Sequence, residues 1–508
     1  MNSRQTDILI IGAGPTGLMA ACQLARFGTD FIIIDHKDGP TQQSRAIAVT
    51  SRSLEIYQQM GLIYEILRDG QPLKSFSMYS KGKRQGEVVL GVIGNGLSEF
   101  NYFMTYEQSK NEELLYRHLM SMGQNVMWNT GFVFLTHHTE NVSVIVSSHG
   151  EQQTIKASYV IACDGASSPV RHQLNMNFIG GTYENKFYVA DTILKWNEGY
   201  DRLAVFPGDK NFAGFFPMKG NSNYRVIGTL PVEYFQEENI SFTDIEQSIR
   251  ETIKIPVTFE KVNWFSIYKL HHRRIESFNV GRVFLAGDAA HIHSPAGGQG
   301  MNTGLQDAYN LAWKLSFVMK GYTSPKILDT YNEERLPFAK WLMSFTDRGF
   351  NVLTSDHWMI NFVRKNIVLR LIGSVLRIKW IRPVIFRTIS QIWYSYKDMS
   401  LSRTATTQKL KFHAGDRFPY VLNDDGTSIY HYLKGPSFHL VHLTGNTSHE
   451  HMSAHNPTVN YPVRIFSLPI TEGWQKLGVK NDLFILVRPD NYILSISDTL
   501  DLRLTSDE

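Results

Sequence analysis

The first forty residues set up a strand, a helix and a second strand by pattern alone. Ile8 to Ile11 is a short apolar run that reads as a buried strand. The stretch from about Pro15 to Phe27 has helical spacing and opens on a proline. "DFIIID" reads as a second buried strand ending at Asp35. Further on, "YVIACDGASSPVR" and "GRVFLAGDAAH" each carry a buried strand that runs into an acid, and "TGLQDAYNLAWKLSFVM" reads as a helix. Between about Phe187 and Ser266 the pattern changes to alternation. "FYVADTILKW", "DRLAVFPGDKNFAGFFPM" and "NYRVIGTL" predict strands of an antiparallel sheet. From His357 to Tyr396, Ile360, Val363, Ile367, Leu371 and Val375 recur at helical spacing until Pro383 interrupts. No uncharged apolar run approaches the roughly 18 residues of a membrane span, and no repeat is present.

Composition narrows the class. At 508 residues the chain suits two or three domains. Hydrophobic content of 43% and charged content of 19% describe an ordinary soluble globular protein. A net charge of +4 gives no mandate for nucleic acid. Cys22 and Cys163 are the only cysteines, too few for a disulfide framework or a thiolate metal cluster. With a polar N-terminus lacking a secretory h-region, they predict a cytoplasmic protein. The segment from His357 to Tyr396 holds seven Lys or Arg and no acid. It reads either as a helical layer linking domains or as a basic surface touching anionic lipid or a partner.

The first strand–helix–strand unit carries chemistry. Gly12, Gly14 and Gly17 form G-x-G-x-x-G at the strand-to-helix turn, with Pro15 and Thr16 opening the helix. Gly12 permits the turn, Gly14 lets a pyrophosphate approach the backbone, and Gly17 lets helix and strand pack closely. The helix N-terminus then faces the phosphates. Asp35 stands where a carboxylate accepts from ribose hydroxyls, and an acid there favours FAD or NAD over NADP. The histidines His291 and His293 beside Asp288 look at first like metal ligands, but no cysteine or acidic cluster joins them, so no metal is expected.

These stretches, with "SRAIAVTSRSLEIYQQMGL" and "QSKNEELL", resemble the class A flavoprotein monooxygenases, the superfamily of para-hydroxybenzoate hydroxylase. "HSPAGGQGMNTGLQDAYNLAWKL" and "YNEERLP" are similar to the branch holding phenol hydroxylase and polyketide hydroxylases. The resemblance implies FAD as cofactor, with Arg45, Gln108, Asp164 and Asp288 binding it. Arg45 would lie between the adenosine and flavin ends, Asp164 would meet both FAD and the reductant path, and Asp288 would hold a ribityl hydroxyl. The turn from Pro295 through Gly298 would set the flavin ring against bare backbone. Free N–H groups of Gly300, Met301 and Asn302 would then stabilise negative charge on the reduced ring. His291 is expected as packed or hydrogen-bonded structure; His293 is near the ring with no assigned role.

In that branch NADPH or NADH reduces the flavin, O2 adds at its C4a, and the hydroperoxide gives an oxygen to an electron-rich aromatic ring. No second G-x-G-x-x-G follows a strand, so no separate nicotinamide domain is expected. The expected fold is α/β. A Rossmann-like FAD-binding domain spans 1–186 and 267–345, with 75–105 contributing to an antiparallel-sheet substrate domain at 187–266. Linking helices follow at 346–404. A C-terminal thioredoxin-like domain at 405–508 lacks the redox cysteines. Phe212, Phe215, Phe216 and Arg225 are candidates to line the substrate cavity. The partners expected are an aromatic phenolic or polycyclic substrate, O2 and a second copy in a homodimer, with no nucleic acid, no integral membrane span and at most weak peripheral contact. Two alternatives stay open: Baeyer–Villiger oxidation or epoxidation on the same fold, and a non-catalytic flavin-binding interaction protein.

Overall fold

The computed structural model describes residues 3–42, 46–208, 211–237, 239–293, 298–354, 378–445, 452–453 and 459–504. Arg45, Pro295 and most of the basic segment that starts at His357 lie outside the described residues. Among the described residues three larger sheets organise the chain, and the first is built from the apolar runs. Phe31–Ile34, Ser3–Ile11, Glu151–Ala162 and Val283–Leu285 lie side by side and parallel, with Asn279–Val280 at one edge. Val142–Ser148 and Thr130–His137 extend the sheet antiparallel from Glu151–Ala162. The first strand starts at Ser3, earlier than the apolar run, because its polar half pairs with Thr154 to Ala157. The register aligns Ile11 with Ile34 and Ala162, and Ala162 with Leu285. The residues that follow these four strands therefore emerge together at one edge of the sheet. Helix Pro15–Phe27 packs against helix Gly300–Met319, and both start at that edge.

The second sheet has eight strands and is antiparallel except where Arg202–Pro207 runs parallel to Ser75–Ser80. Its centre is the pair Ile179–Lys195 and Thr258–Arg274, flanked by Asn223–Thr229 and Phe212–Pro217. One face buries Tyr188, Ala190, Phe215 and Val226 against Phe242, Ile245, Ile249 and Ile253 of helix Phe242–Ile253. A reciprocal capping box between Ser241 and Asp244 starts that helix. The other face looks toward the edge of the first sheet. The chain passes directly between them, since His291–Ile292 pairs as an edge strand with Arg273 and Arg274.

The third sheet is C-terminal. Its central order is Ile493–Ser497, Leu483–Val487, Phe438–Thr444, Val463–Pro469, with Phe438–Thr444 parallel to Val463–Pro469 and the other two pairings antiparallel. It docks on the first domain through apolar contacts, among them Phe438 against Trp313 and Phe317. A buried ionic seam lies beside them. Glu334 accepts from both terminal nitrogens of Arg488 (2.6 and 3.0 Å), from Lys314 (2.8 Å) and from Asn310 (2.7 Å). Asp490 accepts from Arg488 and from Trp313 Nε1 (3.1 Å). Among the described residues, no helix is long and apolar enough to cross a membrane.

Candidate functional site

The edge where the four parallel strands end opens into a cavity of about 1070 Å³, floored by the first sheet and roofed by the second. Gly12, Gly14, Pro15, Thr16, Asp35, Gln108, Asp164, Asp288, Gly298, Gly300 and Met301 all line it. Residues from six separated stretches of sequence thus meet in one space.

Each glycine of the first turn has a separate reason. Gly12 has φ of 100°, and a Cβ there would overlap the carbonyl of Cys163. Gly17 would overlap Gly12 itself. A Cβ on Gly14 meets nothing within 4 Å; it would fill the cavity. That is the geometry of a backbone cradle at a helix N-terminus, and it suits a pyrophosphate. Thr16 wedges the turn against its neighbours, for a Cβ at Gly287 or Gly304 would run into its side chain.

The acids are held from behind. Asp35 accepts from Ala13 N–H (2.6 Å) and Lys37 N–H (2.9 Å), so it braces the glycine turn as well as facing the cavity. Asp164 Oδ2 accepts from Val170 N–H (3.1 Å), while Oδ1 is buried without a partner. Burial pushes its carboxyl above the usual range. Asp288 is exposed to the cavity yet enclosed by protein around it, and this desolvation likewise raises its carboxyl. Asp164 Oδ1 and the Asp288 carboxylate, held at the edge of one cavity, are what a ligand rich in hydroxyls satisfies. Arg171 ties their turns together, donating to Ala166 O (2.8 Å) and Ala289 O (3.1 Å).

The start of helix Gly300–Met319 supplies the second cradle. Its cap residue, Gln299, makes no side-chain capping bond. Gly298 has φ of 64° and lies over Ala48, where a Cβ would crowd the alanine methyl at 2.7 Å. The Asn302 side chain, expected only as a backbone donor, is fully occupied elsewhere. It donates to Ala48 O (2.8 Å) and Gly298 O (2.9 Å) and accepts from Thr50 N–H (3.0 Å). It fixes the turn and does not itself line the cavity.

Strand parity sorts the four candidates of the roof. Arg225, Phe216, Trp264 and Asp191 are cross-strand neighbours on the face toward the first sheet. Phe216 lines the cavity there with Ile227, Trp264, Ser266 and Tyr268. Phe215 is fully buried on the opposite face, against Trp196 and Phe206. Phe212 shares the face of Phe216 but packs on Phe187 away from the cavity. Arg225 binds Asp191 through two bonds of 2.7 Å and donates to Ala46 O (3.1 Å), pinning the roof to the chain just after Arg45. It is buried, and although it shares the cavity-side face it does not line the cavity.

Three groups lay in stretches the sequence reading quoted but were given no role there. Glu112, one turn beyond Gln108, is buried and accepts from Gln108 (2.9 Å), from Thr41 N–H (2.9 Å) and from Lys37 Nζ (3.3 Å). The i, i+4 spacing was its visible signal. Asp307 accepts from His291 Nε2 (2.7 Å) and from Arg335 Nε (2.7 Å). Burial works the other way, but Arg335 and His291 hold its carboxyl below the usual range. This places His291 in a hydrogen bond behind the Asp288 turn, while His293 lines the cavity. The "YNEER" run is the third: Tyr331 bonds Leu285 O, Asn332 bonds Phe278 N–H, Glu333 bonds Ser400, Glu334 anchors the seam and Arg335 holds Asp307.

Residues 5–346 match the FAD binding domain family, and the chain belongs to it as an FAD-dependent monooxygenase. A flavin-dependent monooxygenase of Mycobacteroides abscessus is 29% identical over 96% of both chains. A rifampicin monooxygenase of Streptomyces venezuelae is 30% identical over 69% of this chain and 72% of its own, and a pentachlorophenol 4-monooxygenase of Sphingobium chlorophenolicum 31% over 68% and 64%. Among solved structures, the flavin-dependent monooxygenase PieE, in complex with FAD and substrate, superposes with a TM-score of 0.78 at 19% identity over 97% of this chain and 96% of its own. The OxyS anhydrotetracycline hydroxylase of Streptomyces rimosus reaches 0.75 at 24% over the same shares. These two share the fold.

Proposed function

We propose that the chain uses NADPH or NADH and O2 to hydroxylate a phenolic or polycyclic aromatic substrate. The observation that carries this is one cavity with two helix N-termini and three acids on its floor and an aromatic roof. The start of helix Pro15–Phe27 would take the FAD pyrophosphate, with Asp35 toward the adenosine ribose and Gln108 and Arg45 along the chain of the cofactor. Asp288 would hold a ribityl hydroxyl, and Asp164 would find the donor its Oδ1 lacks. Pro295 and Gly298 would shape the ring's seat, and the N–H groups of Gly300, Met301 and Asn302 would face its electron-rich edge. Phe216, Trp264 and Tyr268 would cover an aromatic substrate and exclude water. When bound, FAD supplies reduction by NAD(P)H and activation of O2. One oxygen atom enters the substrate, and the other leaves as water with the two electrons of NAD(P)H.

The names of the relatives acting on pentachlorophenol and rifampicin support an aromatic substrate. The strand order of the C-terminal sheet (fourth, third, first, second, with the first two parallel) supports a thioredoxin-like unit, and neither Cys22 nor Cys163 lies in it.

The test measures NADH and NADPH consumption, oxygen uptake, peroxide and product, with and without a panel of phenols and polycyclic aromatics. Reductant oxidation is expected to be slow alone and to accelerate with a substrate. Product formed without oxygen uptake would overturn the proposal. A ring-expanded ester or an epoxide would replace hydroxylation by the corresponding oxidation on the same site.

A further inference from the structure

Helix Ile381–Ile389 ends in a Schellman arrangement: Gln391 N–H reaches Thr388 O (3.3 Å) and Ile392 N–H reaches Arg387 O (3.1 Å). Gln391 takes the left-handed position, φ 58°, where glycine is the favoured residue and a side chain is strained. Yet its side chain is buried and saturated. Oε1 accepts from Gln306 Nε2 (2.6 Å), and Nε2 donates to Thr303 Oγ1 (3.1 Å) and Gln299 Oε1 (3.3 Å). All three partners belong to the first two turns or the cap of helix Gly300–Met319. Gln299 is the cap residue, and it lines the cavity between Gly298 and Gly300. With its amide oxygen held by Gln391, its amide nitrogen is the donor it has to offer.

We propose that Gln391 is a positioning residue: it accepts backbone strain in order to fix the Gln299 amide, whose nitrogen donates to the flavin ring edge at this helix start. The inference rests on the FAD reading of the cavity. A fixed donor beside the helix N-terminus adds to the stabilisation of negative charge on a reduced ring. It also couples the linking helices to the flavin's electronics through one side chain.

The experiment uses the full-length chain loaded with FAD. Gln391→Gly keeps the left-handed backbone and removes the three side-chain bonds. Relief of backbone strain offsets part of the three lost bonds, so the melting temperature is expected to fall only modestly, while the bound flavin's visible bands shift, its midpoint potential moves negative and peroxide per NAD(P)H rises several-fold. Gln299→Leu is expected to move the same readouts in the same direction, and the double variant to add nothing beyond the single ones. Gln391→Asn, which tolerates the left-handed backbone but is too short to reach Gln299, replaces the glycine variant if that one fails to fold. Wild-type bands and potential in a loaded Gln391 variant, or additive effects in the double variant, would overturn this proposal alone. Failure of the wild-type chain to take up FAD would overturn the reading of the cavity and this proposal with it.

Discussion

At the cavity, Asp164 leaves a buried oxygen without a donor and Asp288 turns its carboxylate into open space. At the seam under the C-terminal sheet, Glu334 and Asp490 are bonded on every side by Arg488, Lys314, Asn310 and Trp313. Both regions bury charge. The cavity's acids have protein behind them and nothing in front, which is a binding arrangement. The seam's charges have each other, which is a structural one. The difference teaches that burial alone does not mark a functional acid; the side left unsatisfied does.

The sharpest way to break this contrast is Gly14→Leu. Its side chain would stand in the cavity and nowhere else, so FAD retention should fall on the order of 100-fold, a loss of about 3 kcal/mol, with little change in apo-protein melting. Flavin absorbance after gel filtration reads the first and calorimetry the second. Retained FAD would show that the cradle is not the phosphate site.

Glu334→Gln should do the reverse. Removing one partner of a buried ionic cluster costs roughly 3–5 kcal/mol, so melting temperature should drop while FAD per folded chain stays constant. The pH dependence follows from the same group. Burial would raise Glu334, but Arg488 and Lys314 override it and bring it to about 2, below its ordinary 4.5. A depressed carboxylate contributes stability above its unfolded value, lost as pH falls from about 4.5 toward 2. Burial lowers Lys314 from 10.5 to about 8. The unfolded chain then holds the extra proton between those values, so this lysine adds stability as pH rises from about 8 to 10.5. Glu334→Gln should flatten the acid limb of a melting-temperature profile and Lys314→Met the alkaline rise. Unchanged limbs would remove both groups from the account.

Asp288→Ala is a smaller change. Loss of a hydrogen bond from a charged acceptor predicts about tenfold weaker FAD binding and more peroxide per reductant. Titration of the apo-protein by flavin fluorescence measures it, and unaltered affinity would detach Asp288 from the cofactor. Smallest is the pair Phe215→Leu and Phe216→Leu. The first should lower stability by about 1 kcal/mol and leave substrate KM alone; the second should raise KM and spare stability. Equal behaviour would contradict the two-faced sheet.

Much of the floor was legible because its signals are local. The run from Ile8 to Asp35 names a strand, a cradle, a helix and an acid within thirty residues, and helix Pro15–Phe27 falls where its spacing placed it. The strands before Asp164 and Asp288 were readable for the same reason. The roof was less so. Phe215 and Phe216 looked alike in composition, and only the register of Phe215 with Val226 and Phe216 with Arg225 tells their faces apart. Arg225 found Asp191 on a neighbouring strand, and Arg335 found Asp307 one helix back, through pairings that no local pattern announces. Gln391 was hidden further still, since its conformation depends on a helix end.

Five strands of the eight-stranded sheet are inserted into the chain between two neighbours of the first one, for Glu151–Ala162 lies beside Val283–Leu285. Closing that pairing requires the whole insert to be threaded out and back, a long loop whose entropy must be met before the contact returns anything. By this contact-order argument the Asp288 turn, which follows the last of these strands, is expected to assemble late. A ligand that binds there acts on the end of the folding reaction and stabilises the finished state by mass action. Bound cofactor is then expected to protect the finished fold as well as to serve the reaction.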